Sequence, residues 1–189
     1  MKRIVLFASG SGTNVENIIR YFQDHPKVLV TLVLTNKQDA KVLDRCKKLN
    51  TSALYFNRPS FFETDCILEF LKCQNPDLIV LAGFLLKVPE NIIDNFPDKI
   101  INIHPALLPK YGGKGMYGMH VHNAVKENND TETGITIHYV NKNYDEGAII
   151  CQFRTRVEKS DSPDDIAAKV HELEYEHYPK VIEKLLVGA

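Results

Sequence analysis

Two side chains that could do chemistry, Asn102 and His104, end an apolar segment that begins at Lys99. Residues two apart in a strand point to the same face, so the carboxamide and the imidazole would lie side by side. Pro105 cannot donate to a sheet ladder and is expected to end the strand. Open α/β sheets bind their ligands at the carboxyl ends of strands, which makes this pair a candidate site. The alternative is that both side chains only hold the next loop in place.

Asp145, in the turn 141–147 between two segments with strand character, is the third candidate. A carboxylate within about 4–6 Å of an imidazole favours the imidazolium and raises the pKa of the histidine. Such a group suits acyl transfer: the amide and the imidazolium would stabilise an oxyanion, and the carboxylate would help to move protons. No G-x-S-x-G motif occurs and no cysteine ends a strand beside a histidine, which favours direct attack by a substrate amine. Taken alone, Asp145 would be a turn former.

A glycine-rich segment, Ser9-Gly10-Ser11-Gly12-Thr13-Asn14, follows an apolar run over residues 3–8. Apolar residues at helical spacing come next: Val15, Ile18, Ile19 and Phe22. This order predicts a strand, a tight turn and a helix whose N-terminal N–H groups could bind an anion. The third glycine of a dinucleotide fingerprint and the Gly-Lys-Ser/Thr of a P-loop are absent, so one phosphate fits better than a pyrophosphate. A tight turn without a ligand is the alternative.

Two histidine patterns could suggest a metal, but neither has a suitable spacing. His120 and His122 open a predicted helix, where residues two apart diverge. His171 and His177 would lie about 9 Å apart along a helix axis, and His177 falls in the apolar stripe as a core histidine. We therefore predict no metal. Glu174, at the edge of that stripe, could reach the site with its carboxylate or could form a surface salt bridge.

Apolar runs alternate with helical patterns along most of the chain. Strands are predicted over 3–8, 28–34, 53–56, 77–82, 99–104, 134–140 and 148–157. Helices are predicted from Val15, over 40–49, 62–73 and 120–128, after Pro89, and from Pro163 onward. The pattern predicts an α/β protein with a single doubly wound, mostly parallel mixed sheet, Rossmann-like, whose last two strands are antiparallel. Residues 1–189 are expected to form a single domain with a long C-terminal helix. Residues 105–119 suggest no regular structure and are typical of a functional or disordered loop.

Composition excludes several classes of protein. The net charge of −1 over 189 residues argues against nucleic acid as a partner. No segment approaches the ~20 apolar residues of a membrane span, and the first residues lack a signal peptide. The four cysteines form no C-x-x-C pair, which argues against zinc. We expect a cytoplasmic protein with reduced thiols.

Five motifs in this order resemble the phosphoribosylglycinamide formyltransferase family of folate-dependent enzymes. They are Gly10-Ser11-Gly12-Thr13-Asn14, Ala82-Gly83-Phe84, Asn102-Ile103-His104-Pro105-Ala106-Leu107-Leu108-Pro109, Gly134-x-Thr136-x-His138 and Asp145-x-Gly147. The resemblance implies a formyltransferase fold and transfer of formyl from 10-formyltetrahydrofolate, without a metal, to 5′-phosphoribosylglycinamide in purine biosynthesis. It also implies a monomer or weak homodimer that acts on small molecules. Another folate-dependent formyltransferase, a formyltetrahydrofolate hydrolase and a non-catalytic sensor are the alternatives.

The resemblance also assigns roles to residues. Asn102, His104 and Asp145 match the catalytic residues, and Gly12, Thr13 and Asn14 match the phosphate-binding turn. Glu174 matches a carboxylate that contacts the glycinamide ribonucleotide. The residues implied in folate binding are Leu85, Leu86, Lys87, Val88, Asn102, Asn141, Lys142, Asn143 and Tyr144. Two segments depart from the usual pattern: Leu85-Leu86-Lys87 replaces a common Met-Arg pair, and Gly112–Gly118 lengthens a connection.

Overall fold

A computed structural model describes residues 1–188, and these fold into seven strands and seven helices. The strands are β1 (Lys2–Ala8), β2 (Val28–Thr35), β3 (Ala53–Tyr55), β4 (Leu78–Leu81), β5 (Ile100–His104), β6 (Glu132–Tyr139) and β7 (Ile149–Arg156). The helices are α1 (Thr13–Phe22), α2 (Lys41–Lys48), α3 (Arg58–Phe62), α4 (Cys66–Gln74), α5 (Glu90–Asn95), α6 (Met119–Glu127) and α7 (Pro163–Val187).

The strands form one mixed sheet in the order β3-β2-β1-β4-β5-β6-β7. β1 pairs in parallel with both β2 and β4, and β2 pairs in parallel with β3. β6 and β7 follow each other without a helix and pair antiparallel, as predicted. The order runs outward from β1 in both directions, which is the doubly wound arrangement. The predicted α/β fold with a mixed sheet and a long C-terminal helix is confirmed.

Contacts divide the chain into two compact units, residues 1–101 together with the C-terminal residues from Pro179 on, and Asn102–Tyr178. The first unit contains β1 to β4 and α1 to α5. Its strand β1 is buried from Ile4 to Ala8, which explains the continuous apolar run. In α1 the predicted stripe of Val15, Ile18, Ile19 and Phe22 is buried. The expectation of a single domain over 1–189 stays a prediction.

Four phenylalanines pack together at the carboxyl end of β1. Phe7, Phe56, Phe61 and Phe84 have ring centroids 4.9 to 6.2 Å apart. Aromatic pairs at these distances stabilise beyond their buried area. The cluster fixes Phe84 and therefore the start of the segment that follows it.

The helix predicted over 62–73 is present as α4 but begins only at Cys66, and a separate short helix, α3, precedes it. Asn57 caps α3, since its Oδ1 accepts from the N–H of Ser60, and Pro59 lies in the first turn. The first residue of α4 is Cys66, whose N–H is bonded to Thr64 Oγ1. Hydrogen bonds to the side chains of Asn57 and Thr64 thus lie at the starts of the two helices, which the apolar pattern alone does not indicate.

The second unit contains the end of β5, the β6–β7 hairpin, α6 and most of α7. The buried row of α7 here runs through Ile166, Val170, Glu174 and Tyr178 at intervals of four. Leu173, next to Glu174 on this helix, is only half-buried. Glu174 therefore lies in the centre of the buried row and not at its edge.

Candidate active site

Asn102, on β5, is oriented by His138, on β6. Its Nδ2 atom lies 3.2 Å from His138 Nε2, and His138 Nδ1 lies 2.9 Å from the Tyr139 carbonyl oxygen. A carbonyl can only accept, so Nδ1 of His138 carries the proton and Nε2 accepts from the carboxamide. This commits one N–H of Asn102 to His138 and fixes the orientation of the amide. The second N–H is the one with which Asn102 can bind a ligand.

The tautomer of His104 is likewise set by a backbone carbonyl, that of Tyr111. Its Nε2 atom lies 2.7 Å from the carbonyl oxygen of Tyr111, so Nε2–H is the donor. Nδ1 lies 3.6 Å from Asp145 Oδ2, which is beyond hydrogen-bond distance. The Tyr111 carbonyl thus selects the tautomer and leaves Nδ1 as the nitrogen without a proton.

Asp145 lies between the two imidazoles. Its Oδ1 atom is 3.7 Å from His138 Nε2, and its Oδ2 atom accepts from the N–H of Gly113 at 2.9 Å. Asp145 has a φ of 56°, and only 13% of its side chain is exposed. Gly147 allows the turn to close, since a Cβ there would collide with the Tyr139 carbonyl. The structure therefore brings the three predicted residues together, and His138 joins them.

Burial favours the neutral form of both His104 and His138. It lowers the pKa of His104 and outweighs the opposing effects of the Asp145 carboxylate and the Tyr111 carbonyl; a smaller lowering comes from His138. Burial likewise lowers the pKa of His138, against the Tyr139 carbonyl and Asp145. Asp145 acts in the expected direction on His104, but the net shift is downward. The net shift favours the neutral imidazole, whereas the sequence pattern favoured the imidazolium.

The segment after His104 is held by a buried hydroxyl. Thr136 Oγ1 donates to the Ala106 carbonyl at 2.7 Å and accepts from the Leu108 N–H at 3.0 Å. Gln152 Nε2 is 2.9 Å from both Thr136 Oγ1 and the Leu108 carbonyl oxygen. Thr136 and Gln152, on the β6–β7 hairpin, therefore fix the path of the chain as it leaves β5.

The glycine-rich turn lies in the first unit. Gly12 is the N-cap of α1 with a φ of 73°, and a Cβ there would collide with Val42 of α2. Both the positive φ and the close approach of Val42 require glycine at this position. No side chain caps α1 from Gly12, so the first N–H groups of the helix can bind an anion. Thr13 and Asn14, in this first turn, are half-buried.

Arg45 of α2 adds positive charge to this turn. Its Nε donates to the Ser11 carbonyl at 2.8 Å, and its Nη1 pairs with Glu16. Glu16 also binds Arg20, and hydrogen bonds from both arginines hold the pKa of this carboxyl below its usual value. Arg45 thus connects the turn to a cationic groove that also contains Lys41 and Lys48.

The segment expected to bind folate begins at Leu85, whose N–H donates to Ser9 Oγ at 2.9 Å. Ser9 Oγ donates in turn to Asn36 at 2.6 Å. Leu85 is exposed, Leu86 and Lys87 are half-buried, and Val88 is buried. In the second unit, residues 141–144 are all exposed, and Asn143 bonds to Asn141 and Glu146.

Glu174 is buried, with 6% of its surface exposed. Burial, aided by the Glu174 carboxylate, holds the pKa of Tyr178 well above its usual value.

The other histidines are dispersed. His177 stacks on Phe153 with centroids 3.7 Å apart, and buried His122 has an Nδ1 without a hydrogen-bond partner. Among residues 1–188, no three His, Cys, Asp or Glu side chains are placed to hold a metal ion. No helix in this range is long and apolar enough to cross a membrane.

Sequence reasoning assigned no role to four groups of the site: the His138 ring, the Thr136 hydroxyl, the Tyr111 carbonyl and the Gly113 N–H. The alternation of β6 places Thr136 and His138 on one face, which could have identified them. The two backbone groups belong to an irregular segment, where no residue type signals such a contact.

The chain is similar to known proteins along nearly its whole length. The profile of the formyl transferase family matches residues 2–182. Phosphoribosylglycinamide formyltransferase of Haemophilus influenzae is 37% identical over all of this chain and 89% of its own length. The chloroplastic enzyme of that name from Arabidopsis thaliana is 35% identical over 96% of this chain, which spans 64% of that relative. The crystal structure of phosphoribosylglycinamide formyltransferase from Streptococcus pneumoniae superposes with a TM-score of 0.86 at 32% identity, covering 98% of this chain and 99% of that one. This chain therefore belongs to the formyl transferase family.

Proposed function

We propose that this protein transfers the formyl group of 10-formyltetrahydrofolate to the amine of 5′-phosphoribosylglycinamide, a step of purine biosynthesis. The observation that carries the proposal is the group of Asn102, His104, His138 and Asp145, in which the amide donor of Asn102, the proton-accepting Nδ1 of His104 and the Asp145 carboxylate converge. Bacterial relatives of nearly the same length bear the name of this activity, and the chain spans 89% and 95% of two of them.

Asn102 stabilises the oxyanion that forms when the substrate amine attacks the formyl carbon. His138 holds the amide with its nitrogen toward the site, and the second N–H of Asn102 binds the developing negative charge. A donor that is fixed before the reaction costs no reorganisation when the charge appears. His138 is thus a positioning residue for Asn102.

His104 moves the proton. The neutral ring, with Nε2–H bonded to Tyr111, accepts the proton of the attacking amine at Nδ1. The imidazolium that results is stabilised by the Asp145 carboxylate and adds a positive charge beside the oxyanion. Nδ1 then returns the proton to the folate nitrogen as the C–N bond to the formyl carbon breaks. One C–N bond forms, one breaks, and the proton passes from amine to folate.

The remaining residues bind the substrates. Gly12, Thr13 and Asn14 bind the single phosphate through the N-terminus of α1, with Arg45 as a supporting cation. Glu174 contacts the glycinamide ribonucleotide. The folate contacts Asn102 and two further segments, 85–88 and 141–144, in which Leu85 and Tyr144 are the most exposed apolar residues.

A direct assay tests this function. The protein is incubated with 10-formyltetrahydrofolate, with and without 5′-phosphoribosylglycinamide, and tetrahydrofolate formation is followed. We expect turnover only when the amine is present. Equal turnover without the amine would show a hydrolase, and tight folate binding without turnover would show a sensor. Turnover with a different amine alone would show another formyltransferase.

Three properties remain predictions: a cytoplasmic location, a monomeric or weakly dimeric state, and the absence of a nucleic-acid partner. The net charge of −1 supports the last of these.

A further inference from the structure

The Tyr111 carbonyl, which selects the tautomer of His104, belongs to a segment without regular structure. It lies seven residues after His104, between β5 and α6. Tyr111 has a φ of 56°, which is unfavourable for a residue with a side chain. Such a conformation persists only when surrounding contacts hold it. The position of this carbonyl therefore depends on what holds the rest of Tyr111.

The Tyr111 side chain provides that hold. Its hydroxyl donates to Asp130 Oδ2 at 2.9 Å and also accepts a hydrogen bond from Asn128. Its ring packs against a small core cluster of Val125, Val157 and Ile166. One end of the residue is thus fixed to the α6–β6 connection, and the other accepts from the imidazole of His104. Thr136 does not hold Tyr111, because its hydroxyl bonds to Ala106, Leu108 and Gln152.

We propose that Tyr111 and Asp130 form an anchor that positions His104, holding its Nε2–H so that Nδ1 is the nitrogen available for proton transfer. The hydrogen-bonded link from Asp130 to His104 passes through Tyr111: carboxylate to hydroxyl, then carbonyl to imidazole. Asp130 is therefore a positioning residue that acts without touching the substrate. The proton-transfer part of this inference rests on the proposed function, whereas the tautomer part does not.

Matched variants separate the anchor from its surroundings. Tyr111→Phe removes the hydroxyl and keeps the ring and the carbonyl. Asp130→Ala removes the acceptor, and Asp130→Asn restores an oxygen that can accept. Lys110→Ala is the control, because Lys110 Nζ lies 3.4 Å from both Asp130 oxygens but is 68% exposed. Exposed ion pairs of this kind contribute little to the free energy of unfolding.

Two measurements are made on each full-length variant. The first is kcat and KM for both substrates. The second is the tautomer of His104, from two-bond ¹H–¹⁵N spectra of the imidazole nitrogens assigned with His104→Gln. For Tyr111→Phe and Asp130→Ala we expect kcat to fall between about tenfold and a hundredfold, as misplaced catalytic groups do. KM should stay within about twofold, and a second tautomer with Nδ1–H should appear. Asp130→Asn should recover most of kcat, and Lys110→Ala should match the wild type.

Specific results would overturn the anchor. A single Nε2–H tautomer in both Tyr111→Phe and Asp130→Ala would do so, as would an equal loss of kcat in Lys110→Ala. A variant that fails to fold is replaced by the other, since the two remove opposite ends of one hydrogen bond. If the wild type does not formylate the amine but the tautomer still changes in the variants, the proposed function fails and the anchor stands.

Discussion

Nδ1 of His104 and Oδ2 of Asp145 lie 3.6 Å apart, outside hydrogen-bond range but within range of a strong Coulomb interaction. Their separation leaves Nδ1 without a committed donor or acceptor while a negative charge stands beside it. Once a proton has been transferred to Nδ1, the Asp145 carboxylate stabilises the resulting imidazolium. Before the transfer, no hydrogen bond to Asp145 occupies this nitrogen. This relationship suits a group that must accept a proton and then release it.

The pH dependence of catalysis should show which form of His104 is active. Burial lowers its pKa, so the neutral ring predominates at neutral pH, and activity should fall only as pH drops below about 6.5. Asp145→Asn removes an influence that raises this pKa, so the acid limb of kcat/KM should move to lower pH. The measurement is the pH profile of both proteins, corrected for ionisation of the substrate amine. A limb that falls toward high pH would show that the imidazolium is the active form.

Loss of the oxyanion donor should reduce the chemical step. Asn102→Ala should lower kcat by about 10²–10³ because one fixed N–H is removed. His104→Ala and Asp145→Ala should also lower kcat, through loss of the proton acceptor and of the charge that stabilises it. Steady-state kinetics at saturating substrates measures this. The mechanism would be wrong if all three variants stayed within about threefold of the wild type.

Gly12→Ala should damage the glycine-rich turn. The new Cβ meets Val42, and alanine disfavours a φ of 73°. We expect a loss of about 1–3 kcal/mol in the free energy of unfolding and a higher KM for the phosphorylated substrate. Urea denaturation gives the first quantity. Gly10→Ala is the stability control, because a Cβ there has nothing within 4 Å and the wild-type stability should be retained.

Arg45→Ala should raise KM for the phosphorylated amine substrate and leave kcat nearly unchanged. The side chain bonds to the Ser11 carbonyl and so supports the turn from α2. Lys48→Ala is the matched control, since it removes an exposed cation from the same helix but keeps the hydrogen bond to Ser11. Equal increases in KM for the two variants would mean that only net charge matters.

His122→Leu should make the protein more resistant to acid. Burial, aided by His171, lowers the pKa of His122 to about 4, so the folded state binds fewer protons than the unfolded state between pH 6.5 and about 4. The free energy of unfolding must fall as pH drops through this window. Relative to its effect at pH 7.5, the variant should gain about 2 kcal/mol at pH 5. Urea denaturation at both pH values tests this, and equal effects at the two would contradict it.

The fold could be predicted where the determining pattern is local. The apolar run of β1 and the stripe of α1 reflect burial of successive residues in one element, and both are present in the structure. The bounds of α3 and α4 escaped prediction because they depend on polar contacts, the Asn57 cap at the start of α3 and the hydrogen bond from the Cys66 N–H to Thr64 Oγ1 just before α4.

The sequence identified which side chains form the candidate site, but it did not predict the pKa shift or the tautomer of His104. Asn102, His104 and Asp145 were identified from residue type and position. The sign of the His104 pKa shift depends on how deeply the ring is buried, and its tautomer depends on the Tyr111 carbonyl. Both follow from the tertiary path of residues 105–118, for which the sequence offers no periodic signal.

All four side chains of the reactive group are encoded between Asn102 and Asp145, whereas the anion-binding turn is encoded at residues 12–14. Under the proposed roles, a single crossover between the two coding segments would exchange the turn that binds the phosphate and keep the four reactive side chains together with Glu174. One recombination event would then offer the same reaction to acceptors that carry a different anionic group.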